Sequence, residues 1–228
     1  MESESELRKK ILDTLTHKAS LKQKVLDNTS QIFNEIKDTL HELATEIDEE
    51  LDEKIDKRIR IEYRDRGKFE AQIQLADDIL IFAMHTNVFQ FSTDNPIWKN
   101  PYVQDKNNAY CGVISIYNFL SDSFKYNRAE DEGYMVGRIF VNHEMNYFVE
   151  GKRQNSLRSD RFGSRKIDRE SLLHVIQTAL NYTLKFDLLV PPFDAGKKVS
   201  VEQFNTRNEN SKLQTGKRLG YDFRCDDI

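Results

Sequence analysis

A carboxylate and an ammonium stand two residues apart at the end of the apolar run Tyr147-Phe-Val-Glu150-Gly-Lys152. Cys111 opens a second candidate. It precedes Gly112 in a segment, 110–120, whose β-branched residues suggest a strand, while Val113, Ile116, Tyr117 and Leu120 also fit a helix. At a helix N-terminus the dipole would stabilise the thiolate, with His143 as the available base. The same cysteine also reads as a small buried residue beginning a core segment. The third group is basic: Lys152, Arg153, Arg158, Arg161, Arg165, Lys166 and Arg169, opposed only by Asp160 and Asp168, with Ser156, Ser159, Phe162, Gly163 and Ser164 interleaved. A loop of this kind can clamp phosphates or a nucleic-acid backbone, and Arg153, Arg158, Arg161, Arg165 and Lys166 are its anion-binding candidates. It equally suits a solvated loop, or a contact for an acidic helix of another subunit.

Glu150-x-Lys152 resembles the Glu-x-Lys element of restriction-endonuclease-like nucleases. The resemblance implies that Glu150 and an upstream acid hold a divalent metal while Lys152 orients the attacking water. The helix that follows, and the run Phe186-Asp-Leu-Leu-Val190, suit that family's order of elements. The preceding strand, Arg138-Ile-Phe-Val141, carries no acid, and Asp122 and Asp131 lie off it. Glu35-x-Lys37 repeats the spacing inside a helical pattern, where it has no such role. His17, His41, His85, His143 and His174 are isolated and lack zinc-ligand spacing. Thr215-Gly216-Lys217 lacks the earlier glycine of a phosphate loop, and no serine sits in a nucleophile elbow. Neither a metal nor a cofactor is expected.

The elements that must carry these groups begin with a long helix. No glycine or proline occurs before Gly67, and Ile11, Leu15, Val25, Ile32, Ile36, Leu40, Leu43, Ile47, Leu51 and Ile55 form one apolar stripe. From Ile32 onward the stripe repeats every eleven residues, which favours a straight or slightly right-handed bundle. Asn28-Thr-Ser-Gln31 could cap a second helix and fold the segment into a hairpin, although Val25, Thr29 and Ile32 stay in phase across it. The stripe calls for a partner helix or a second copy, and Ile36, Leu40, Leu43, Ile47 and Leu51 are assigned to self-association.

The period then switches to two. Ile59, Ile61 and Tyr63 alternate with charged residues, and after the turn at 65–68 Phe69, Ala71, Ile73 and Leu75 alternate again, as in a hairpin. Residues 79–84 suit a central strand, Phe89 and Phe91 a short one, and 93–108 a long polar loop with Trp98. Met135 to Val141 and Tyr147 to Glu150 form a second hairpin around 142–146. Leu172, Leu173, Ile176, Leu180 and Leu184 mark a helix over about 168–186, ahead of Pro191 and Pro192. Leu219, Tyr221 and Phe223 alternate like an edge strand, and no internal repeat is found.

Composition bounds the rest. Residues 1–58 hold 10 Lys/Arg against 15 Asp/Glu, a net of −5, which leaves the remainder at +1 within the chain's −4. A near-neutral domain lacks the basic excess of a dedicated nucleic-acid binder. All but one of the 14 Phe and 9 Tyr follow residue 60, enough to build a core there. Cys111 and Cys225 form no framework and read as reduced thiols, the N-terminus is the opposite of a signal peptide, and no window spans a membrane. The expectation is therefore α+β: a coiled-coil-like helical segment at 1–58, then at 59–228 a mainly antiparallel sheet of five to seven strands with a covering C-terminal helix. The function expected is that of a non-enzymatic cytoplasmic assembly, adaptor or sensor-type protein, homo-oligomeric or paired with a helical partner, without a membrane. Its alternative is a nucleic-acid-binding protein or metal-dependent nuclease using Glu150, Lys152 and the 151–169 loop.

Overall fold

The computed structural model describes residues 4–51, 56, 59, 61–129, 131–151, 161–185, 187 and 201. A long N-terminal helix leads into a mostly antiparallel sheet domain that ends in a covering helix. The helix runs without a hairpin: α1 (Glu4–Thr14), a π-helical turn (Leu15–Ala19) and α2 (Ser20–Leu51) follow directly on one another. Two of its side chains bond back onto the preceding turn. The Thr16 hydroxyl donates to Leu12 O at 2.8 Å, and His17 Nδ1 lies 3.1 Å from Asp13 O.

The sheet contains β1 (Ile61–Asp65), β2 (Glu70–Leu75), β3 (Asp78–Met84), β4 (Phe89–Gln90), β5 (Tyr110–Leu120), β6 (Tyr134–Asn142) and β7 (Tyr147–Gly151). The order is β1-β2-β3-β5-β6-β7, every pairing antiparallel, and β4 extends the β3 side along the eleven-residue β5. The ambiguous segment 110–120 is thus a strand. A short helix, α3 (Ser121–Lys125), follows it, and α4 (Arg169–Thr183) comes last. Asp168 caps α4, accepting from Ser171 N at 2.8 Å. The alternating edge strand expected at 219–223 lies outside the described residues.

One face of the sheet packs under α2 and α4. Ala71, Ile73, Leu80, Phe82, Ile114, Ile116, Ile139, Val141 and Val149 share a core with Ile32, Phe33, Ile36, Leu40 and Leu43 of α2 and with Leu172, Val175, Ile176 and Ala179 of α4. Helix and sheet approach closely where Thr29 lies over Gly112: a Cβ built on that glycine would sit 2.0 Å from Thr29 Oγ1. The stripe therefore divides in two. Val25, Ile32, Ile36 and Leu40 are at most 1% exposed, whereas Leu7, Ile11, Leu12 and Leu15 are 48–60% exposed. Leu15 and Val25 already lie about 80° apart around an ideal helix of 3.6 residues per turn, and the intervening π-turn widens that angle.

This division corrects the assignment of the self-association residues. Ile36, Leu40 and Leu43 are buried by the chain's own sheet and α4, and Ile47 packs partly buried against the same core. Leu51 is half-buried. The cover that the stripe demands over this stretch is supplied from within the chain.

Candidate functional site

The outer face of the sheet, away from α2 and α4, carries the cavity. Its floor comes from alternate residues of β5, β6 and β7, namely Val113, Phe140 and Phe148, with Cys111 buried in the same cluster. Phe140 and Phe148 stack at 4.6 Å and 11°, and Phe91 lies tilted over both at 5.3 and 5.8 Å. The segment after β4 roofs one end, with Ile97, Trp98, Tyr102 and Val103 packed on this cluster together with Phe162. At the other end Phe124 of α3 meets Phe119 edge-on. Between the two covers lies a cavity of about 470 Å³, with His85, Phe89, Ser115, Tyr117, Met135, Arg138 and Glu150 among its walls.

A β-bulge shapes that wall. The β5–β6 register slips between Ile116 and Tyr117, so that Gly137 pairs with Ile116 but Met135 with Tyr117. The extra residue, Val136, turns into the helix-side core, and Met135 turns outward to line the cavity.

Glu150 sits in this cavity, and its carboxylate is held by a guanidinium. Arg138 is its cross-strand neighbour; Nε donates to Glu150 Oε2 at 2.9 Å, and Nη2 donates to the same oxygen. Arg138 also lies over the Phe140 ring, 5.3 Å from its centroid. The pair was legible in principle, since both residues stand six positions from Glu144 at the centre of the 142–146 turn. His85 Nδ1 accepts from Asn87 N at 3.0 Å, which leaves Nε2 as the donor of the neutral ring.

The other sequence candidates disperse. Lys152, Arg153 and Arg158 lie outside the described residues. Asp131, an upstream acid considered for the metal, is taken up by Ser123 Oγ at 2.7 Å and by Arg128. Among the described residues, no three of His, Cys, Asp and Glu gather as metal ligands. Cys111 belongs to a strand, not to a helix N-terminus; it is fully buried, and desolvation pushes its thiol far above the ordinary cysteine range. Of the two readings open for Cys111, the structure shows the buried residue of a core segment.

The basic residues are likewise split. Arg165 pairs with Asp168 at 3.3 Å and Arg169 pairs with Glu42 of α2. Lys166 lines a second cavity, of about 410 Å³, with Lys24, Asn28, His143, Glu144 and Met145. Next to it, the Tyr102 hydroxyl donates to Glu144 and accepts from Asn142 Nδ2 at 2.7 Å and Asn146 Nδ2 at 2.9 Å. Burial, and then the Glu144 carboxylate, raise the Tyr102 phenol to about 12. This network, which joins the roof segment to the β6–β7 turn, was not anticipated; Asn142 and Asn146 at fixed turn positions were its only local signal.

No protein-family model matches this chain, and comparison with curated proteins and with solved structures found no match. Among the described residues, no helix is long and apolar enough to cross a membrane.

Proposed function

We propose that this protein is a non-enzymatic assembly or sensor-type binding protein of the cytoplasm that self-associates through the free end of its N-terminal helix. The observation that carries the reading is the exposed stripe Leu7, Ile11, Leu12 and Leu15 on an arm that the sheet does not cover. Four large apolar side chains at helical spacing form a patch of the kind that marks an interaction surface.

The occupant favoured is a second copy of the same arm, antiparallel to the first. Glu4, Leu7, Ile11, Leu15 and Lys18 are spaced 3, 4, 4 and 3, a series symmetric about Ile11. A twofold axis at Ile11 therefore sets Leu7 against Leu15 and Glu4 against Lys18 of the other copy, an isologous contact. Parallel pairing would instead set Glu4 beside Glu4 and Lys18 beside Lys18. Lys18 is exposed and lies 5.8 Å from the Tyr110 ring centroid, a weak contact that leaves its charge available. A cytoplasmic setting accords with the free thiol of Cys111, and a non-enzymatic role with the structural engagement of Glu150, Cys111 and Asp131.

Light scattering coupled to size exclusion tests the reading. Wild type is expected to run as a dimer or larger, and the double variant Ile11→Asp, Leu15→Asp as a monomer with an unchanged melting temperature. Lys18→Glu should weaken the assembly, and adding Glu4→Lys should restore it. A wild type that stays monomeric at its highest soluble concentration refutes self-association. Restoration failing while the apolar variants still dissociate would refute the antiparallel arrangement alone.

A further inference from the structure

We propose that the outer-face cavity is the binding site for a free α-amino acid with an apolar side chain, its carboxylate on Arg138 and its ammonium on Glu150. This gives a ligand to the sensor variant of the proposed function, and rests on that variant rather than on self-association.

The walls of the cavity dictate the ligand's chemistry. Arg138 and Glu150 stand opposite each other on β6 and β7 with side chains 40% and 54% exposed. An ion pair this exposed adds little to stability and is readily reopened. Within the described structure the two hydrogen-bond only to each other, and the two engaged guanidinium nitrogens, Nε and Nη2, meet the single oxygen Oε2. Glu150 Oε1 and Arg138 Nη1 remain for a ligand.

A simple anion drawn to Arg138 would come to rest beside the Glu150 carboxylate and be repelled by it, and a simple cation would meet the guanidinium in the same way. A zwitterion exchanges both partners at once and leaves neither charge unpaired. The Ser115 and Tyr117 hydroxyls and His85 Nε2 on the same wall supply further donors to the carboxylate.

The body of the ligand is set by the apolar side of the cavity. Phe89 and Met135 are each 43% exposed there, beside Phe91 and Val113, although nothing polar requires such residues to face solvent. An aliphatic or thioether side chain laid against them removes that area from water. The volume of about 470 Å³ lies within the range of small-molecule sites and is ample for one amino acid.

The experiment is calorimetric titration and thermal shift of the full chain with leucine, isoleucine, methionine, phenylalanine, aspartate and lysine. Isocaproate, isoamylamine and a set of nucleosides complete the panel. Binding of the apolar amino acids is expected, weakened at least about tenfold in isocaproate and in isoamylamine, each of which lacks one charge. Arg138→Gln and Glu150→Gln should each lower affinity by a similar factor without moving the melting temperature of the free protein. Phe89→Ala should weaken the apolar ligands alone. The proposal is overturned if no amino acid binds, if a singly charged analogue binds as tightly, if only nucleosides bind, or if binding survives Arg138→Gln. The same titrations on the Ile11→Asp, Leu15→Asp monomer separate the two proposals, because the ligand site lies apart from the arm.

Discussion

The two halves of the N-terminal helix share one sequence pattern and meet opposite fates. Between Val25 and Ala44 the apolar residues are sealed beneath the sheet and α4, and between Glu4 and Ala19 the same kind of residues face water. Periodicity states that a face must be covered; it does not state by what. What separates the halves is the phase step between Leu15 and Val25, widened by the π-turn at Leu15–Ala19, together with the end of the sheet near Tyr110, where β5 begins.

The contrast is broken or upheld most forcefully by trimming one isoleucine from each half. Ile36→Ala removes a fully buried side chain from the shared core and should cost about 2–5 kcal/mol in denaturant unfolding. Ile11→Ala, at a position 60% exposed, should stay within about 0.5 kcal/mol when the protein is dilute enough to be monomeric. Equal losses at both sites would mean that the arm is packed on its own chain, and the arm could then no longer serve as a free surface.

The docked half is sharpened where Thr29 meets Gly112. Gly112→Ala forces a methyl into Thr29 and should destabilise by about 1–3 kcal/mol, since neither β5 nor α2 can withdraw without opening the core. Combining it with Thr29→Ala should recover only part of the loss. The Thr29 Cβ itself would remain 2.7 Å from the new methyl, and the hydroxyl bond to Val25 O would be gone. Full recovery would show that the helix rides less tightly on the sheet than the contact implies.

The limits of reading the chain alone follow from the same geometry. Strands β1 and β2 were legible because only one of their faces is apolar, so period two survives in the sequence. Strand β5 was not, because Cys111, Val113, Ile114 and Ile116 are buried from both sides, which erases the alternation that separates a strand from a helix. The bulge that turns Met135 outward left no local signature either; it exists only in the pairing of β5 with β6. Glu150 drew notice through its spacing to Lys152, yet the residue that holds it is Arg138, twelve positions earlier and joined to it by hairpin register.

The smallest effect concerns α4, which completes the cover over the docked half. Hydrogen bonds from the Ser171 hydroxyl and then from its backbone amide hold the Asp168 carboxyl below its ordinary value of 3.8, with Arg165 contributing less. The charged form is thus favoured in the folded state, and its stabilisation is fully present above about pH 3.8 and fades as the pH falls through the lowered value. Asp168→Ala should cost about 1 kcal/mol, the usual worth of an N-cap. That difference from wild type should hold at neutral pH and shrink on acidification below 3.8, as wild type loses the same interaction by protonation. A gap that stays constant with pH would assign the loss to packing around Ser171 and Leu172, and would leave the cap no part in fixing the helix that closes the core over Ile36 and Leu40.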